Sequence, residues 1–122
     1  MTISNYAELK LLDHVTGRAA FTAPSSVYLK LHIGDPGEDG TANPATETTR
    51  KLVSFSAASS GSIAGSGTVE WTNVAGSETY THWSMWDAST SGNCLWTGAL
   101  SASASVTAGD TFQVTSITLS LD

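Results

Sequence analysis

Between residues 26 and 33 the chain alternates without a break. Val27, Leu29, Leu31 and Ile33 fall on one parity, and Ser26, Tyr28, Lys30 and His32 on the other. Successive side chains of an extended strand leave on opposite faces, so this pattern predicts a strand with one buried face. The apolar set is expected in the core. The polar set is expected toward solvent or a neighbouring chain. Residues 117–122 repeat the pattern, with Ile117, Leu119 and Leu121 alternating with Thr118 and Ser120. This strand is expected to pair inside a sheet with its three apolar side chains buried. Residues 68–72 alternate again, Val69 and Trp71 sharing a face, and residues 49–55 set Arg50, Leu52 and Ser54 against Lys51, Val53 and Phe55. Residues 81–88, 94–100 and 111–114 read as further strands. Small polar turns at 73–78, 89–93 and 108–110 separate them. Residues 56–67 are nearly low in complexity and suit either a flexible loop or a flat edge strand, with Ile63 as the one anchor.

One stretch has a different period. Ile3, Ala7, Leu11 and Val15 recur at a spacing of four, with Leu12 on the adjoining row. That predicts a helix over residues 3–16, closed by Gly17 at the position where a positive φ suits glycine. Asn5 with Glu8 forms a possible capping box, and Ser4 is an equally good cap. The helix either covers an open end of the sheet structure or meets a partner through residues such as Tyr6 and Leu9.

Residues 34–48 form a long loop that opens on the turn signal Asp35-Pro36-Gly37. Asp35, Glu38, Asp39 and Glu47 supply hard oxygen ligands, but their spacing is not that of a calcium loop with alternating carboxylates and a closing glutamate. An acidic, solvated, mobile loop is therefore expected, with no bound metal. Its exposed polar residues Asp35, Glu38, Asp39 and Asn43 become candidates for contact with a partner, beside the strand residues Tyr28, Lys30 and His32.

Composition narrows the function. The formal net charge is −6 with only five Lys plus Arg, which argues against nucleic acid and against anionic membranes. No charged start followed by an apolar segment suggests a signal peptide, and no apolar run approaches the ~20 residues of a membrane helix. Cys94 is the one cysteine and sits in an apolar strand, so a buried structural thiol is expected. His14, His32 and His82 have no second histidine or cysteine at ligand spacing. No serine has glycines two positions before and after it, so no nucleophile elbow is present. Neither an enzyme nor a cofactor is expected. Trp83 and Trp86 stand an odd number of residues apart and point to opposite faces of a regular strand. One is expected in the core; the other is either covered by the helix or another strand or lies outward as an interface anchor or sugar platform, with Trp83 kept as the candidate.

Several motifs carry a resemblance. They are Trp86-Asp87-Ala88, Gly92-Asn93 before Leu95, Gly98-Ala99-Leu100, Ala108-Gly109-Asp110-Thr111 and the closing alternating strand. With the opening Ile3-Ser4-Asn5-Tyr6-Ala7-Glu8 and the later Gly34-Asp35-Pro36-Gly37, nearly the whole chain resembles the capsid cement (decoration) proteins of tailed bacteriophages. Similar sequences are often labelled tail fibre proteins. The resemblance implies a virion protein made in the host bacterial cytoplasm and placed on the capsid surface. There it would reinforce contacts between copies of the phage major capsid protein, with a homo-trimer plausible. The alternative is a tail or tail-fibre protein that binds a host glycan or receptor. The expected fold is a single domain over residues 1–122. It is mainly β, an antiparallel β-sandwich or jelly-roll-like barrel over residues 26–122, with one N-terminal α-helix at residues 3–17.

Overall fold

The computed structural model describes residues 2–121. The chain is mainly β, with nine strands and one helix among these residues. In order they are β1 (Thr2–Ile3), α1 (Asn5–Val15), β2 (Val27–His32), β3 (Lys51–Phe55), β4 (Ser62–Ser66), β5 (Val69–Trp71), β6 (Glu78–Trp86), β7 (Cys94–Val106), β8 (Phe112–Val114) and β9 (Thr118–Ser120). Seven strands form one antiparallel sheet in the order β1-β7-β6-β2-β3-β4-β9, and β5 pairs with β8 in a separate ribbon. The large sheet curls into a half-barrel, and the ribbon lies against it through β3 and β5. The expected barrel-like β fold is what forms, although the sheet does not close on itself.

The core lies on the concave face. Leu29 and Leu31 are wholly buried there, joined by Val53, Val69, Trp71, Tyr80, Trp83, Met85, Trp96, Val114, Ile117 and Leu119. Register explains the contacts: Leu31 pairs with Trp83 and Leu29 with Met85, so alternate residues of β2 and β6 bury together. Gly98 pairs with Trp83 on the other side of β6. A β-carbon there would lie 2.5 Å from the Trp83 ring, so glycine is what lets the indole lie across β7.

The helix starts two residues later than the spacing suggests. Ser4 is the N-cap, its hydroxyl accepting from the Ala7 amide, and the Asn5–Glu8 box is not the cap. Ile3 belongs to β1 and pairs with Trp96. Gly17 takes φ +77° and closes the helix by donating to His14. Among the residues of α1 only Ala7 is buried, while Leu9, Leu12 and Val15 stay exposed. The stripe that a core-facing helix would bury is turned to water.

Other expectations are corrected at element ends. Ile33 and Leu121 continue the alternation of their strands but are 46% and 56% exposed. β2 stops at His32 and β9 at Ser120, so beyond those points nothing covers the inward parity. Val27, at the start of β2, is half-buried. Residues 62–66 form a strand held between β3 and β9, neither a loop nor an edge. β7 runs on through the Ser/Ala stretch to Val106, and β6 begins already at Glu78.

Truncation tests this division. Leu29→Ala is expected to cost about 2–5 kcal/mol, because it opens a cavity at a wholly buried site. Ile33→Ala should stay within about 0.5–1 kcal/mol, as exposed substitutions do. Equilibrium urea unfolding of both variants checks the pair.

Candidate functional site

Two surfaces compete for a functional role: the convex face of the sheet under the loop at residues 34–48, and the outside of α1. The convex face is less open than the sequence implies. His32, expected outward, is wholly buried. Its Nδ1 donates to the Ala42 carbonyl at 2.9 Å, which leaves Nε2 to accept from the Ser84 hydroxyl at 2.7 Å. The Trp86 indole N–H donates to the same hydroxyl at 2.7 Å. The loop therefore roofs this face at its His32 end and makes that residue of the polar parity interior.

The loop is pinned at many points and is not the solvated excursion its composition suggests. Pro36, Gly40, Ala45 and Glu47 are buried. Asp35 accepts from the Gly37 amide, and its carbonyl accepts from the Asn43 side chain. Asn43 takes φ 50°, and its carbonyl accepts from the Ile33 amide. Gly40, at φ +72°, lies so close to Cys94 and Trp86 that a β-carbon would collide with the Cys94 sulfur. The carboxylate of Glu78 holds the far end through the Thr46 amide. Asp35 and Asn43 thus brace the loop, while Glu38 and Asp39 remain exposed. Asp39 reaches the Asn5 side chain at 3.5 Å. No cluster of three or more His, Cys, Asp or Glu that could hold a metal occurs among the described residues.

Trp83 and Trp86 do leave opposite faces, yet both are buried, at 4% and 8% exposure. Trp83 is therefore a core residue and is corrected as an interface candidate. Trp86 is covered on its own face by Arg50, whose guanidinium lies 4.1 Å from the ring centroid. Arg50 also donates to the Ala88 and Ser91 carbonyls, clamping the β6–β7 hairpin. The sequence reading missed this residue, and only its place beside the turn could have suggested it. With Trp71 and Trp96 also buried, no tryptophan among the described residues offers a flat exposed platform to a sugar.

Electrostatics on this face follow burial. Burial holds the His32 pKa below the ordinary histidine value, with the Lys30 charge adding to the effect and the Ala42 hydrogen bond opposing it. Lys30 is lowered by burial and then by Arg50. Cys94 is buried, and its thiol is pushed up to about 11, so the thiolate a nucleophile needs is disfavoured. Tyr28 and Lys30 stay half-buried at the rim of the roofed region.

The outside of α1 is the open surface. Leu9, Leu12 and Val15 are 67%, 63% and 80% exposed and stand three residues apart along the helix. Tyr6 is half-buried against Phe21, edge to face at 6.2 Å, with Lys10 over its ring. Of the expected contact residues, Leu9 lies on this surface and Tyr6 at its base. Leu12 and Val15 entered the sequence reading only as part of the spacing that marks the helix. Their exposure is visible only once the helix is docked through Ala7 and its capping turn.

The buried histidine makes a signed prediction. Its folded pKa lies below its unfolded one, so the unfolded chain takes up a proton first as pH falls. Stability should be full above about pH 6.5 and decline as pH drops from there toward the folded pKa. In His32→Gln this part of the decline should vanish, as followed by thermal unfolding across pH 4–8.

A family model described as Podophage GP4 fiber I protein gp80 matches residues 2–122. No curated protein matches the chain.

Proposed function

The chain belongs to this podophage fibre family and is a structural protein of the phage virion, and from that premise we propose that it is a fibre-class docking domain. In this reading α1 seats the domain on a neighbouring virion protein. The observation that carries it is the row Leu9, Leu12 and Val15, apolar and open to water, on a chain of net charge −6. A partner that covered these side chains would gain about 1.5–3 kcal/mol for each one fully buried. Repetition over the copies in a particle multiplies that gain through effective concentration. The role is binding without turnover. Asp35, Glu78 and Asp87 are engaged with main-chain amides, and the cysteine is buried with its thiol pushed up to about 11.

A second reading is cement on the capsid exterior, bound to the phage major capsid protein, with copies grouped as trimers. It is favoured by the cement-like motifs along the chain, which the structure resolves into turns and core positions: the Gly92–Asn93 hairpin, Gly98 under Trp83 and the Gly109 turn. Both readings use the same helix surface. They differ in the partner, and so in stoichiometry.

Leu9→Asp with Leu12→Asp should leave the melting temperature nearly unchanged, because both positions are exposed. Incorporation into particles should fall at least about tenfold, the loss expected when one hydrophobic contact of this size is removed. Complementation of a deletion phage, followed by quantitative mass spectrometry of purified particles, reads both variant and wild type. Wild-type copies in proportion to tail appendages support the fibre reading. Copies in proportion to capsid subunits replace it with the cement reading. Undiminished incorporation of the variant removes α1 as the docking surface.

A further inference from the structure

The curled sheet is open along one side, and the opening has the chemistry of a missing strand. β9 is the last strand in the sheet order, so one of its edges is free. The Leu121 amide donates to Gly61 and the Ile117 carbonyl accepts from Gly65, so the odd residues of this segment bond toward β4. The main-chain N–H and C=O groups of Thr118 and Ser120 therefore point outward from the sheet. Edge strands are commonly guarded by charge or proline. Residues 111–121 contain neither a charged residue nor a proline.

Beside this edge runs a groove of about 230 Å³ lined by Ala58, Ile63, Trp96, Leu119 and Leu121 together with Gly61 and two serines. Trp96 lies on β7, near one end of the sheet order, and Leu119 on β9, at the other. The groove is where the two ends of the sheet face each other. Leu121 is left 56% exposed at its rim. The Trp96 indole N–H is buried without a hydrogen-bond partner, a state that costs free energy.

We propose that this opening binds an extended, uncharged segment of another polypeptide, which adds to β9 as a further strand of the half-barrel. Each observation selects that occupant. Outward donors and acceptors on Thr118 and Ser120 match a peptide backbone, which offers both at a two-residue repeat. An apolar groove next to them takes the alternate side chains of such a strand. The uncharged edge excludes no neutral segment and repays no ion for its lost hydration. A second folded copy fits less well, because its own sheet would have to enter between β9 and the β7 end. The inference concerns a different surface from α1 and does not rest on the fibre reading.

The test uses the full chain, labelled with 15N, and a short end-blocked peptide of alternating threonine and valine as probe. Addition of the peptide should shift the Trp96 indole resonance and the amides of Thr118 and Ser120, and should slow exchange of those two amides. The same peptide N-methylated on alternate residues should give no response. Ser120→Pro removes one outward N–H and should abolish the response. It spares the main-chain bonds of β9 to β4 but loses the hydroxyl contact between Ser62 and Ser120. Ser120→Ala, which loses only that contact, serves as the control and should respond like wild type. Leu121→Ala trims the exposed rim of the groove and should weaken binding about 2- to 10-fold, the loss expected for part of one apolar contact. Binding by Ser120→Pro equal to wild type overturns the proposal. So do shifts confined to other residues. A dimer seen by sedimentation and lost in Ser120→Pro also overturns it, since the edge would then be occupied by a second copy.

Discussion

Trp83 and Trp86 leave one strand on opposite faces, and both indoles are withdrawn from water. That parity is the constraint on which the rest of the structure depends. A sheet that buries large aromatics on both faces needs a cover on both. The concave side is closed by curling the sheet and adding the β5–β8 ribbon, with Phe112 stacked near Trp71 and Tyr80. The convex side has no second sheet. Its cover is the loop at residues 34–48, assisted by Arg50 over Trp86. A loop can serve as a cover only if its own main-chain polar groups find partners. This explains why so many of its hydrogen bonds run to Asn43, Asp35, His32 and Glu78.

The same economy of covering elements decides what is left for function. Residues that look like chemistry in the sequence are used as braces. Asp87 accepts from the Asn93 amide in the β6–β7 turn, and Asp110 accepts from Thr107 in the next one. His32 links loop to sheet. Apolar surface that a small domain would ordinarily bury is instead left out on α1, at Leu9, Leu12 and Val15, and at the β9 rim. Exposed apolar rows on an otherwise weakly charged, hydroxyl-rich surface suit a protein that works by being held in an assembly. Membership of a phage fibre family gives that assembly its setting in the virion.

Most of the β architecture was legible in the chain, and the physical reason is local. Alternation fixes which side chains share a face of a strand, and turn residues with positive φ, such as Gly92 and Gly109, fix where strands end. Val69 with Trp71, Leu29 with Leu31, and Ile117 with Leu119 bury as their parity requires. Periodicity likewise located the helix, and Ser4 was already a candidate for its cap. Of the proposed contact residues, Leu9, Glu38 and Asp39 are exposed as anticipated.

What the sequence could not supply is which face has a cover and how far it extends. Alternation separates two faces of β2 but says nothing of a loop arriving over the polar one, so His32 was placed outside. It continues past the last paired residue, so Ile33 and Leu121 were placed inside. A spacing of four marks a stripe on α1 but not whether the stripe turns toward the sheet, so the helix could be read either as a cover for the sheet or as a contact surface, and the exposure of Leu12 and Val15 was not decided. The groove beside β9 arises only because residues far apart in sequence, Trp96 and Leu119, meet where the curled sheet stops short of closing. The sequence by itself determined the strands, the helix and the pairing of side chains within them, because those follow from backbone geometry over a few residues. Burial depends on contacts between distant segments, and only the tertiary structure decided which of those side chains remain free to meet a partner.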